Sequence, residues 1–192
     1  MLAGGRSRRF ADGRKALARL GGEPLITRVA DALAAATGRP PVVAARTGRR
    51  AGLFAEVLPE PAFADDAPGF EGPLAGVVGA ARAVEAPYLF VAGCDMPLLS
   101  PGAVRWQADH ARRADAVAVV SGVPQPTHAL YRRAAVLRVA RELPAAAGVR
   151  SLLAALPVVR RLPVAAGTDV GLRRSLTNVN SRAELRALEA TP

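Results

Sequence analysis

Cysteine is almost absent from this chain of 192 residues. Cys94 stands alone, which excludes an internal disulfide and leaves no cysteine cluster for zinc or an iron–sulfur centre. Histidine is nearly as scarce: His110 and His128 are too few for a histidine-rich metal site. Aromatic residues make up only 4% of the chain, so a groove of stacking rings for nucleic acid is not expected despite a formal charge of +10. No apolar run reaches membrane-spanning length, and no charged start followed by an apolar export segment is visible. These absences lead to an expectation of no nucleic acid, no membrane, and a cytoplasmic protein.

What remains is a chain that is 51% hydrophobic, chiefly alanine, leucine and valine, which argues against disorder. Its length fits one domain, residues 1–192, with a substantial core. The positive charge favours an anionic partner such as a nucleotide or a phosphorylated cofactor. The arginines are scattered in pairs, as at Arg112–Arg113 and Arg173–Arg174, and form no continuous basic tail.

The most informative segment lies at the start: Leu2-Ala3-Gly4-Gly5-Arg6-Ser7-Arg8-Arg9, followed by Lys15. Two adjacent glycines allow a tight turn with its backbone close to a ligand. The N–H groups exposed by such a turn can cradle anionic oxygens, and four nearby cations suit a polyphosphate. The plain alternative is a surface loop in an arginine-rich chain. The turn lacks the Lys-Ser/Thr ending of a P-loop and the G-x-G-x-x-G of a dinucleotide fold, so any nucleotide is held in another way.

Along the chain, short apolar runs alternate with helical periodicity. Pro24–Leu33 reads as an amphipathic helix with Leu25, Val29 and Leu33 on one face. Pro41–Ala45 reads as a short strand, Leu53–Leu58 as another short element, and Ala62–Gly72 as a loop. A helix is expected from Gly72 to about Ala86, then a buried strand Tyr88–Ala92. Ser100–Pro101 opens a helix through Trp106, and Ala116–Val120 reads as the next strand. Gly122–Pro126 reads as a turn, with helices around Ala134–Arg141 and Val149–Leu156 and a strand within Val158–Val164. Ser181 and Glu184 form a capping box for a last helix. The alternation predicts a layered α/β fold.

Chemistry centres on Asp95, which follows the strand Tyr88–Ala92 and so falls at a rigid sheet edge, where open α/β folds place their sites. One carboxylate can serve magnesium when substrate phosphates supply other ligands. A turn aspartate that caps backbone groups is the competing reading. Lys15 can neutralise phosphate charge or be a solvated helix residue. His128 can position a polar substrate or serve as a hydrogen-bonded structural group. Asn180 can bind a second substrate or cap the last helix. Cys94 needs no role beyond that of a small buried residue.

The ordered set is more specific than any one motif. Leu-Ala-Gly-Gly-x-Ser-x-Arg at 2–9, Lys15, Gly-Pro-Leu-Ala-Gly at 72–76, Cys-Asp-Met-Pro-Leu at 94–98, Pro-Thr-His-Ala-Leu-Tyr at 126–131 and Asn-Val-Asn at 178–180 resemble the molybdenum cofactor guanylyltransferase family over nearly the whole chain. The resemblance implies a Rossmann-like nucleotidyltransferase three-layer sandwich. It implies magnesium-dependent transfer of GMP from GTP to molybdenum-bound molybdopterin, with molybdenum-insertion and molybdoenzyme maturation proteins as further partners. Leu2, Ala3, Gly4 and Gly5 match the nucleotide-contacting turn, Lys15 the phosphate-contacting lysine, and Asp95 the magnesium ligand. The stretch 126–131, with His128, and Asn180 match regions associated with molybdopterin.

Four departures accompany the match. Arg14 stands where the family often has Asp, with Asp12 nearby, and Arg46 aligns near a guanine-contacting asparagine. Glu60 aligns near a guanine-contacting aspartate. Only Met1 and Leu2 precede the glycine turn where the family has a hydrophobic strand, which implies either that the start is placed too late or that the first strand is shortened. The departures keep two alternatives open: cytidylyl transfer to the same cofactor, and a noncatalytic molybdopterin carrier.

Overall fold

The computed structural model describes all residues except 5–9, 11–14, 46–48, 165–169 and 191–192. After a single 3-10 turn at Lys15–Leu17, a small hairpin of β1 (Arg19–Leu20) and β2 (Glu23–Pro24) leads into α1 (Leu25–Thr37). The chain continues through β3 (Val42–Ala44), α2 (Arg49–Ala55), β4 (Ala62–Ala64), α3 (Gly72–Ala83), β5 (Tyr88–Ala92) and α4 (Pro101–Asp109). Then follow β6 (Ala116–Ser121), β7 (Val123–Arg132), α5 (Arg133–Val139), α6 (Val149–Ala155), β8 (Val159–Pro163), α7 (Val170–Ser175) and α8 (Arg182–Glu189).

The sheet is joined at its middle by the first residues of the chain. Leu2 bridges in parallel to Ala44 beyond one flank and to Gly93 beyond the other. This links β4-β3 to β5-β7-β6-β8. Leu2 N donates to Ala92 O at 2.8 Å, and Ala3 N donates to Ala44 O at 2.9 Å. The Met1 amine donates to Val42 O at 2.8 Å, and burial lowers its pKa to about 6. β3 and β4 are parallel, as are β6 and β8, while β7 runs antiparallel between β5 and β6.

Side-chain alternation assigns the two faces. Ala116 and Ala118 of β6 join Leu74, Val77 and Val78 of α3, Val136 of α5 and Leu152 of α6 in one apolar cluster. Val117 and Val119 of the same strand join Ala103 of α4 and Leu172 of α7. Ile26, Val29 and Leu33 of α1 pack with Val43, Ala92 and Val104 on that same second side. The result is a three-layer α/β sandwich. Among the described residues, no helix is long and apolar enough to cross a membrane.

Three sequence expectations need correction. The loop expected over Ala62–Gly72 begins with β4, whose three residues pair with Val42–Ala44. The turn expected over Gly122–Pro126 contracts to Gly122, because Val123 pairs with Ser121 and Pro124 with Val120 at the start of β7. The helix from Gly72 ends at Ala83, and α7 has no counterpart in the sequence reading.

Candidate active site at the strand ends

Parallel pairing brings four chain segments out at one edge. Ala3–Gly4, Ala45, Asp65 and Gly93–Asp95 each follow a segment that runs in the same direction. Cys94 N closes the ladder by donating to Leu2 O at 3.0 Å. Leu2 is half-buried and Ala3 buried, so they reach this edge mainly through their backbone. Gly5 lies outside the described residues, as do Asp12, Arg14 and Arg46.

Beyond β5 the chain turns sharply, and the Asp95 side chain folds back over Gly93. A Cβ on Gly93 would collide with Asp95 Oδ1, so this carboxylate position requires glycine two residues before it. The turn is tied down from the far end of the chain, where Val179 N donates to Asp95 O at 2.8 Å. Lys15, on the 3-10 turn, reaches the same point. Its Nζ lies 2.6 Å from Asp95 Oδ2 and 2.9 Å from Asn180 Oδ1. The Lys15 side chain is 13% exposed and that of Asp95 25%. Three residues separated by up to 165 positions thus meet around one ammonium.

Glu60 is not part of this arrangement. It precedes β4, and β4 runs toward the site edge, so Glu60 falls at the opposite end of the parallel strands. The carboxylates at the correct end are those of Asp65 and Asp66. A Cβ on Gly4 would stand 3.8 Å from both Asp66 carboxylate oxygens, and one on Gly76 would stand 3.5 Å from Oδ1. The backbone of Asp65 is pressed against α3, where a Cβ on Gly79 would collide with Asp65 O. Sequence reasoning placed these two acids in a loop. The signal that could have found them is the one used for Asp95: an acid directly after a short apolar strand.

His128 is also displaced from its expected role. It pairs with Ala92 on β5 and is fully buried. Nδ1 lies 2.9 Å from the Gln107 amide and Nε2 lies 2.8 Å from Ser175 Oγ. Oriented with its oxygen toward Nδ1, the Gln107 amide also donates to Val117 O and His128 O. Ser175 Oγ accepts from Ser100 N at 2.9 Å, leaving its proton for Nε2. The network therefore puts the imidazole proton on Nδ1 and uses both nitrogens inside the protein. Burial lowers the His128 pKa to about 4, so the ring is neutral. A direct cofactor contact is replaced by bracing between β7, α4 and α7. Of the same motif, half-buried Pro126 and Thr127 continue past Ala92 toward the site edge. Burial and the adjacent Asp95 carboxylate push the Cys94 thiol up to about 12, which removes it as a nucleophile near neutral pH.

A MobA-like NTP transferase domain model matches residues 1–161. The chain belongs to the MobA-like NTP transferase family. A molybdenum cofactor guanylyltransferase of Burkholderia orbicola is 33% identical over 98% of this chain and 93% of that relative. A probable molybdenum cofactor guanylyltransferase of Haloferax mediterranei is 42% identical, but over 53% of this chain and about half, 49%, of that relative. The crystal structure of molybdopterin-guanine dinucleotide biosynthesis protein A from Archaeoglobus fulgidus matches with a TM-score of 0.78 at 25% identity. That match covers 98% of this chain and 94% of the other. Membership in the MobA-like family makes the chain a nucleotidyltransferase, and Lys15, Asp95 and Asn180 meet at the edge where such a fold exposes its strand ends.

Among the described residues, no group of three or more His, Cys, Asp and Glu side chains could enclose a metal ion. An all-protein cage is therefore not part of the described structure. One accessible carboxylate, completed by water and substrate phosphate oxygens, is a donor set that suits magnesium. Asp95 fits that description.

Proposed function

We propose that this nucleotidyltransferase moves GMP from GTP to molybdenum-bound molybdopterin, with magnesium, and releases pyrophosphate. The observation that carries the reading is the meeting of Lys15, Asp95 and Asn180 at the sheet edge where Ala3–Gly4 also emerges. It is supported by the names of the relatives that align over nearly the full chain.

In this reading the terminal phosphate of molybdopterin supplies the attacking oxygen. A new P–O bond forms at the α-phosphorus of GTP as the bond to the bridging oxygen breaks, and pyrophosphate carries away that electron pair. Asp95 would hold magnesium, which supplies charge stabilisation at the phosphates. Lys15 carries a cation to the nucleotide phosphates, and the backbone at Ala3–Gly4 fixes their path. Alignment and charge neutralisation account for much of the rate gain, because a phosphate oxygen needs little activation.

The acids at the end of β4 bear on the choice of base. Guanine offers a carboxylate two adjacent donors, N1–H and the 2-amino group, whereas cytosine offers one, its 4-amino group, beside acceptors at N3 and O2 that repel a carboxylate. Asp65 and Asp66 replace Glu60 as the residues for this task and favour GTP over CTP. The test is direct: purified protein with molybdopterin cofactor, magnesium and GTP forms the guanylated cofactor and pyrophosphate. A turnover preference for CTP would overturn the guanylyl reading. Cofactor binding without turnover of either nucleotide would overturn the transferase mechanism.

A further inference from the structure

The proposed reaction depends on where the Lys15 ammonium points, and a lysine does not fix that by itself. Its charge sits on a flexible four-carbon stem with three rotatable donors. Asp95 accepts from Nζ at 2.6 Å, and Asn180 accepts at 2.9 Å from a different part of the chain. Asn180 is a neutral acceptor, so it directs the ammonium without cancelling its charge.

Asn180 is held in turn. Its backbone N donates to Glu184 Oε2 at 2.6 Å. Glu184 N donates to Ser181 Oγ at 3.2 Å, which is the forward half of a capping box on α8. In the usual box the carboxylate returns to the N–H of the capping residue itself. Here it bonds to the N–H one residue earlier, on Asn180. The preceding residue, Val179, is 1% exposed, packs with Phe10, Leu20, Leu25 and Leu185, and bonds through its N to Asp95 O. The segment is therefore anchored on both sides of the residue that meets Lys15. It lies beyond the residues matched by the family model, which end at 161.

We infer that Glu184 is a positioning residue: through Asn180 it aims Lys15 at the phosphate site. The inference rests on the reading of Lys15 as a phosphate contact, and the experiment separates the two. Lys15 is the only lysine in the chain, so lysine labelled with carbon-13 at Cε gives one assigned NMR signal. The signal is recorded without nucleotide for the unaltered protein and for Asn180→Ala, Glu184→Ala, Glu184→Gln and Ser181→Ala. GTP affinity is then measured on each.

Glu184→Ala and Asn180→Ala are expected to move the signal in the same direction, and Glu184→Gln, which keeps an acceptor, to restore it. Ser181→Ala removes the other half of the cap and lowers thermal stability, yet leaves the signal in place. Loss of an oriented charge-assisted contact to phosphate should weaken GTP binding about tenfold in Glu184→Ala and little in Ser181→Ala. A Glu184→Ala signal that matches the unaltered protein, or that moves no more than in Ser181→Ala, overturns the positioning role. A moved signal with unchanged GTP affinity upholds the positioning and overturns the phosphate contact of Lys15.

Discussion

Acid should unfold this protein partly through His128. Its ring is fully buried, donates to the Gln107 amide and accepts from Ser175, so the native state holds it neutral. Its pKa falls from 6.5 to about 4 on burial. The unfolded chain takes up the proton near pH 6.5, and the native chain only near pH 4. Stability from this residue is therefore complete above pH 6.5 and is lost as the pH falls from 6.5 to 4. It changes no further below that. A displacement of roughly 2.5 units at 1.36 kcal/mol each gives a loss of about 3 kcal/mol across that window. This is a large share of the roughly 5–15 kcal/mol that stabilises a typical domain.

The measurement is urea unfolding at several pH values between 7 and 4, on the unaltered protein and on His128→Gln. The carboxylates titrate in both proteins and cancel in the comparison. His128→Gln should be less stable at pH 7, because glutamine cannot reproduce both ring contacts. Its stability should fall less steeply with acid, so the two curves converge by about 3 kcal/mol toward pH 4. Parallel curves would refute the buried neutral imidazole.

Three further outcomes follow from the site. Asp95→Asn should remain folded but lose at least about a hundredfold in turnover, the scale of losing a key electrostatic contact; unchanged turnover and magnesium dependence would remove Asp95 from the mechanism. Asp66→Asn should cut the preference for GTP over CTP by about tenfold, or ~1.4 kcal/mol, in competing-substrate assays. Gly79→Ala forces a methyl group against Asp65 O and should cost about 1–3 kcal/mol in urea unfolding; an unchanged midpoint would mean that α3 does not press on the β4 end as described.

The parts of this fold that were legible in the sequence share one property: their pattern is local. Tyr88–Ala92 is an unbroken apolar run, and α1 repeats its buried residues at helical spacing. Ser181 and Glu184 announce the start of α8 from four residues. β4 was missed because it has three residues and follows Pro59 and Pro61; parallel pairing with Val42–Ala44 makes it a strand. Pro124 and Pro126 disguised the first half of β7, which is held by β6 in a hairpin. Glu60 falls away from the strand-end edge for a related reason. Counting residues through a loop cannot say at which end of a strand they fall, whereas the register of β4 does. His128 lies in a strand whose next three residues are all buried, so both of its faces lie in the core. The run of Ala, Leu and Tyr that follows is the signal that could have decided between the two roles open to His128 in favour of the structural one.

Composition held one signal that pattern reading passed over. Of the 26 cationic side chains, 25 are arginine and Lys15 alone is lysine. A chain that meets nearly every need for positive charge with guanidinium departs from that habit where three elements converge. The geometry gives the reason. Asp95 Oδ2 and Asn180 Oδ1 approach a single nitrogen within 2.9 Å, in a place where the side chain is 13% exposed. An ammonium presents three donors from one point and can satisfy both acceptors with one left over. A guanidinium spreads five donors over a rigid plane and would need acceptors set farther apart. The position thus demands a compact cation, and in the proposed reaction the N–H that Asp95 and Asn180 do not use is the one that meets an anionic substrate.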